Sequence, residues 1–267
     1  MRRITALSAV LAAALVAALT GCTPAADDGA SPSPSATPVA SATATDSAAP
    51  SPSATAEAEE GYPLSSFVAQ VDAAEITLLT TPEGDEEITV RAEDVLTVPD
   101  QTPFVFLVKE IRGSWVELYL PIRPNGSTGW AQADDVSLSA TQMRVEVSLE
   151  DFELSVFEGD QELLTTPIGL GQDELPTPGG VYYIRELLAP PDPDGIYGPY
   201  AYGLSGYSPV LDEFAGGDAV IGMHGTNDPD SIGGAVSHGC IRLPNDAITE
   251  LVEEIGLPLG TPVYVEG

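Results

Sequence analysis

The chain has 267 residues and a formal net charge of −32, and Lys109 is its only lysine. Nucleic acid is a poor partner for such a surface, and the acidity reads as solubility in a polyanionic cell envelope rather than as a substrate signature. The whole chain holds two cysteines and two histidines, which confines thiol or imidazole chemistry to Cys22, His224, His238 and Cys240.

Arg2 and Arg3 open the chain, and Ile4 to Leu19 is an almost unbroken run of apolar and small residues. This is the pattern of an export signal. The run ends in Leu19-Thr20-Gly21-Cys22, which resembles the lipobox of bacterial lipoproteins. That resemblance implies removal of residues 1–21 and acylation of Cys22. The chain would then be held by the lipid bilayer at the outer face of the cytoplasmic membrane and extend into the cell wall. A plain cleaved signal or an uncleaved anchor would equally export the remainder. Residues 22–61 are dominated by Ala, Ser, Thr, Pro and acidic residues, with runs such as Ser31-Pro32-Ser33-Pro34. They lack the apolar content to fold and read as a disordered tether. About 39 such residues span roughly 35 Å as a coil, and on the order of 120 Å when stretched towards polyproline II.

Residues 62–140 read as a small, barrel-like β module. Ala74–Leu79, Phe104–Val108 and Gly113–Leu120 are strand-like in their β-branched and aromatic content. Pro124-Asn125-Gly126 supplies a turn before Gly129-Trp130-Ala131. Trp115 and Trp130, each preceded by serine or glycine, resemble the pattern of bacterial Src-homology-three-like wall modules. The resemblance implies binding of glycan or peptide; a packing spacer with core tryptophans is the alternative.

From Met143 onwards the alternation sharpens. Met143, Val145, Val147 and Leu149 share one face of a half-buried strand. Phe152–Phe157 and Glu162–Ile168 flank Glu158-Gly159-Asp160 as a hairpin. Val181–Ile184, Ala219–His224 and Pro262–Val265 are further strands. Tyr197 to Gly203, punctuated by glycine and proline, reads as a lid or groove wall, or as an ordinary packed loop. Asn245 or Asp246 can cap a helix with Ile248, Leu251, Val252 and Ile255 at helical spacing, and Gly256 closes it. Residues 141–267 are therefore a mostly-β domain, read as a sandwich, with one helix after Cys240.

With Cys22 lipidated, Cys240 is a lone thiol in an exported protein, where cysteines normally pair. It lies in Ser237-His238-Gly239-Cys240-Ile241-Arg242-Leu243, sixteen residues after His224. Imidazole is the usual activator of a nucleophilic thiol, so Cys240 should alkylate faster than free cysteine. On a continuous strand His238, Cys240 and Arg242 would share one face. Gly239 would let a substrate carbonyl approach the backbone, with the amides of Gly239 and Cys240 as oxyanion donors.

The pair of His224 with Ser237-His238-Gly239-Cys240 resembles the L,D-transpeptidase catalytic domain family (YkuD), over about 125 residues from Met143 to Val265. The resemblance implies that Cys240 is the acyl acceptor and His224 the base, with the Gly225 carbonyl orienting the imidazole. It places His238, Gly239, Ser237 and Arg242 at the substrate or oxyanion side. Some members have asparagine where Arg242 stands, and its guanidinium suits a donor carboxylate. The implied partners are peptidoglycan stem peptides as donor and acceptor. A thioester at the third stem residue forms with loss of D-alanine, and an acceptor amine then takes the acyl group in a 3→3 cross-link. No metal or organic cofactor is required, and carbapenems are expected to acylate Cys240.

Other chemistries fit less well. Two histidines and a cysteine are three zinc ligands, but His-x-Cys is cramped and no CxxC exists. A papain-like enzyme places its histidine after the cysteine. Ser-x-x-Lys is absent, since Phe106 precedes Lys109 at that offset, and no Gly-x-Ser-x-Gly surrounds Ser237. A structural cysteine in an inactive wall-binding lipoprotein is the non-enzymatic alternative. An L,D-carboxypeptidase would share the thioester but not the acceptor.

Overall fold

The structure is a computed structural model that describes residues 61–267. The export signal, Cys22 and the tether as far as residue 60 lie outside the described residues. Among the described residues no helix is long and apolar enough to cross a membrane.

The fold is mostly β and contains two main sheets in one compact unit. Strands β1 (Ser66–Val71), β2 (Glu75–Leu79), β3 (Glu87–Arg91), β4 (Phe104–Arg112), β5 (Trp115–Tyr119), β6 (Thr128–Gln132) and β7 (Ser137–Thr141) form the first sheet, in the order β3-β2-β6-β5-β4-β1-β7. A single helical turn, α1 (Ala92–Val95), follows β3. The turn between β5 and β6 holds Gly126 at φ +82°, where glycine carries no Cβ penalty. Trp130 is buried beneath the guanidinium of Arg112, 4.9 Å from the ring centre, and Trp115 is half-buried.

The second sheet draws on the remaining chain. Its early strands are β8 (Met143–Ser148), β9 (Glu153–Glu158) and β10 (Gln161–Pro167), with Gly159 at φ +60° in the expected hairpin turn. Then come β11 (Leu170–Gly171), β12 (Gly180–Leu188), β13 (Ala201–Tyr207), β14 (Glu213–Phe214), β15 (Gly217–Asp218), β16 (Val220–His224), β17 (Ala235–Ser237), β18 (Ile241–Arg242) and β19 (Pro262–Glu266). The eight-stranded order is β10-β9-β8-β19-β12-β13-β16-β18; β11 pairs with β17, and β14 with β15. Half of the tyrosine-rich segment is therefore not a lid. Ala201–Tyr207 is an interior strand, Tyr202 is buried, and its hydroxyl donates to the Leu251 carbonyl at 3.3 Å. Its glycines and proline conceal the strand from a composition-based reading.

Helix α2 (Asn245–Glu250) continues through a π-helical turn, Leu251–Ile255, and ends at Gly256 in the left-handed region, φ +69°. The expected side-chain cap is absent. Pro244 occupies the N-cap position, and the Asn245 side chain turns away to accept the Thr226 amide at 2.8 Å.

Period-two alternation puts β12 between two cores. Tyr182 and Ile184 pack with Val145, Leu204, Met223 and Ile241, whereas Tyr183 faces the core of Leu78, Phe106 and Leu118. Each such side chain contributes on the order of 2 kcal/mol by leaving water. Polar contacts also join the sheets, among them Arg123 donating to the Ser208 carbonyl at 2.7 Å and the Tyr207 hydroxyl donating to the Pro121 carbonyl at 2.6 Å. Glu186, almost fully buried, accepts the Thr97 amide at 2.8 Å and the Thr97 hydroxyl at 3.1 Å. Asn125 engages both backbone groups of Tyr207: Oδ1 accepts its N–H at 2.9 Å and Nδ2 donates to its carbonyl at 2.8 Å. Asn125→Ala leaves a paired amide and carbonyl without partners. It should destabilise the protein by about 2 kcal/mol in urea unfolding; a change under a few tenths would show that these bonds do not hold the sheets together.

Candidate functional site

β18 adds to the edge of the second sheet parallel to β16, with Met223 opposite Ile241 and His224 opposite Arg242. This ladder sets His224 beside the residues that immediately follow Cys240. The Leu243 amide donates to the His224 carbonyl at 2.8 Å and extends the pairing.

The cysteine sits in a turn, not on a strand. β17 ends at Ser237, β18 begins at Ile241, and Gly239 between them has φ +118°. His238, Cys240 and Arg242 consequently do not share a strand face. Glycine is needed here for that φ and because a Cβ would lie 2.9 Å from Ile221 Cδ1. That Cβ would point at protein atoms, which replaces substrate approach as the reason for Gly239. The Ser237 hydroxyl donates to the Cys240 carbonyl at 2.6 Å and accepts the Gly239 amide at 3.1 Å. Ser237 thus braces the turn, and it also lines the smaller cavity beside Cys240. Since the Gly239 amide is engaged inside the loop, the Cys240 amide remains as the candidate oxyanion donor. Thr177 ties the turn to the scaffold: its hydroxyl donates to the Gly239 carbonyl and accepts the Gly171 amide, each at 2.9 Å.

His224 is buried, with Nδ1 2.6 Å from the Gly225 carbonyl. A carbonyl can only accept, so Nδ1 carries the hydrogen and Nε2 is the basic nitrogen of the neutral ring. Tyr197 meets the imidazole edge-on, 5.0 Å between ring centres at 74°. Burial pushes the His224 pKa down to about 4; the Gly225 carbonyl opposes this and the Arg242 charge reinforces it. Cys240 Sγ lies 3.9 Å from the Val220 carbonyl. Burial pushes the thiol pKa up, against the opposing pull of the Gly222 amide and Arg242. Burial thus favours the neutral form of both groups at rest.

Two cavities meet at Cys240 and His224. The smaller, about 60 Å³, is walled by Tyr197, Ser208, Phe214, His238 and Arg242. The larger, about 730 Å³, runs past Gly222 and Glu186 to Glu93–Thr97 beside α1. His238 is exposed, its ring centre 5.2 Å from that of Phe214. Arg242 is half-buried, and its Nε has no hydrogen-bond partner among the described residues. Among the described residues no group of His, Cys, Asp or Glu is placed to hold a metal ion. The sequence signals passed over Tyr197 as a contact of the imidazole and Thr177 as more than part of a turn.

Fold and site together define a mostly-β protein that presents one thiol and one buried imidazole at the edge of a sheet. Residues 142–265 match the family model described as the L,D-transpeptidase catalytic domain, YkuD. The chain is 37% identical over 122 residues to a Bacillus licheniformis protein named "Putative L,D-transpeptidase YkuD", and 34% identical over 121 residues to its Bacillus subtilis namesake. These matches cover 46% and 45% of this chain, and the chain spans 64% of the length of each relative. The solved structure of Bdellovibrio bacteriovorus Bd1075 is similar over 47% of this chain and 48% of that one, at 28% identity and a TM-score of 0.37.

Two measurements probe the neutral pair. Iodoacetamide should alkylate Cys240 with a pH midpoint above that of a free thiol; a midpoint below it would show a resting thiolate. For His224, the unfolded ring takes up its proton near pH 6.5 and the folded ring only near 4. The unfolded state binds more protons in that window, so this group's contribution to stability is present above 6.5 and is lost as pH falls to 4, by about 3 kcal/mol. The stability difference between wild type and His224→Gln should shrink by that order across the window; a pH-independent difference would contradict the burial of a neutral ring.

Proposed function

We propose that the protein is a peptidoglycan L,D-transpeptidase with Cys240 as nucleophile and His224 as base. The observation that carries this reading is the 2.6 Å contact of His224 Nδ1 with the Gly225 carbonyl, which leaves Nε2 basic in a cavity it shares with Cys240. As the sulfur attacks the carbonyl carbon of the third stem residue, the thiol proton passes to Nε2. The Cys240 amide donates to the developing oxyanion. The C–N bond to D-alanine breaks, the imidazolium gives its proton to the departing amine, and a thioester remains. An acceptor amine then attacks the thioester; its proton passes through His224 to the departing sulfur, and the thiol is restored with a 3→3 cross-link.

The neutral resting pair suits this sequence. Proton transfer accompanies attack on the acyl donor, and a buried ring with a pKa near 4 returns its proton readily to the leaving amine. Arg242, with an unpartnered Nε beside the smaller cavity, would take a donor carboxylate, and His238 would line that side. Glu93, Asp94, Glu186 and Asp218 line the larger cavity, a charge that draws an ammonium-bearing acceptor. The export signal, acylation of Cys22 and a tether to residue 61 would set this body on the outer face of the cytoplasmic membrane, within reach of the wall. The sheet of residues 62–140 would act as a wall-facing module.

Intact-protein mass spectrometry with a disaccharide tetrapeptide tests the reading. Wild type should lose D-alanine from the donor, carry the acyl group and release a dimer. Cys240→Ala should do none of these, and His224→Ala should acylate about a thousandfold more slowly. Loss of D-alanine without dimer would convert the assignment to a carboxypeptidase. No cysteine-dependent change, with donors varied at the third residue, would leave a wall-binding lipoprotein. A carbapenem should add its mass to wild type and not to Cys240→Ala.

A further inference from the structure

We infer that Asn245 is a positioning residue for His224, setting the tautomer of the imidazole from the far side of the Gly225 peptide. The inference rests on the reading of His224 as the base. Asn245 opens α2, yet its Oδ1 accepts the amide of Thr226, two residues beyond His224, at 2.8 Å. The intervening peptide carries the Gly225 carbonyl that holds Nδ1–H. Fixing the Thr226 amide therefore fixes the rotation of the segment whose preceding carbonyl decides which ring nitrogen is basic.

Packing around that oxygen shows a built contact. A Cβ at Gly225 would lie 2.3 Å from Asn245 Oδ1 and 3.0 Å from Gly198 Cα. A Cβ at Gly198, which has φ +63°, would lie 2.5 Å from the same Oδ1 and 2.6 Å from Gly225 Cα. Asn245, Gly198 and Gly225 thus close on one another with no room for a methyl group on either glycine. Gly198 follows Tyr197, whose ring meets the imidazole edge-on. Two restraints on His224, the carbonyl on Nδ1 and the tyrosine against its edge, therefore converge on one amide oxygen. The Asn245 residue as a whole is exposed, so its position is not required for a hydrophobic core. A side chain that only stabilised the helix would face its own N-terminal amides, and this one does not.

The test reads the tautomer directly. Nitrogen NMR of the labelled full chain should show Nδ1 protonated and Nε2 free in wild type at neutral pH. Asn245→Ala and, independently, Gly198→Ala should give a mixture of tautomers, while Asn245→Asp, which keeps Oδ1, should restore the wild-type pattern. Acyl-enzyme formation on the tetrapeptide should fall roughly 30-fold to 100-fold in kcat for Asn245→Ala, with donor KM within about twofold, as expected for a misplaced base. A wild-type tautomer in folded Asn245→Ala, or a loss confined to KM, would overturn the positioning role and leave the assignment of His224 standing. Wild type without any acyl-enzyme would overturn that assignment and this inference with it.

Discussion

The two-residue pairing of β18 with β16 is the constraint on which the site depends. It converts a separation of sixteen residues into adjacency, because His224 ends one strand and Arg242 ends its parallel neighbour. So short a ladder supplies few hydrogen bonds of its own. Its register is held by what surrounds it: the Gly169–Arg242 bridge on the other edge, with two bonds of 2.8 Å, and the Leu243 amide on the His224 carbonyl. The cysteine turn is braced in the same way, internally by Ser237 and from outside by Thr177. The geometry at the thiol is thus set by side chain to backbone bonds around a minimal strand pair, not by the pair alone.

Burial moves the His224 and Cys240 pKa values in opposite directions and has the same consequence for both. It disfavours the thiolate and the imidazolium alike. A thiol held neutral is less open to alkylation and oxidation than a thiolate. Arg242 lies close enough to act on both groups, opposing protonation of the ring and favouring the thiolate.

Legibility in the sequence followed the range of the interactions. The strand of Met143–Ser148 and the hairpin after it were visible because period-two alternation is local. His224 and Cys240 stood out because the chain has so few residues of either kind. β13 was hidden in part, since Gly203 fell in a segment read as lid or loop although it makes way for a neighbour: a Cβ there would meet the Glu186 side chain. The turn at Gly239 was mistaken for strand because alternation cannot register a positive φ. The Thr177 bond to Gly239 spans 62 residues, and no local pattern announces a contact of that length. Desolvation of the thiol was equally out of reach, as it depends on the elements packed around it.

The first sheet bears on the chemistry through β12. One face of that strand serves each core, so the Tyr183 side of the sheet interface and the Tyr182 side of the second sheet's core are parts of a single backbone. Three residues on, Glu186 takes hydrogen bonds from Thr97 at the end of α1 and lines the larger cavity. Residues of the first sheet's connection thereby become a wall of the space that opens on Cys240. The buried carboxylate of Glu186, close to Arg185 and bonded across the interface, ties the shape of that cavity to the docking of the two sheets, so the sheet N-terminal to the matched segment belongs to the architecture of the site.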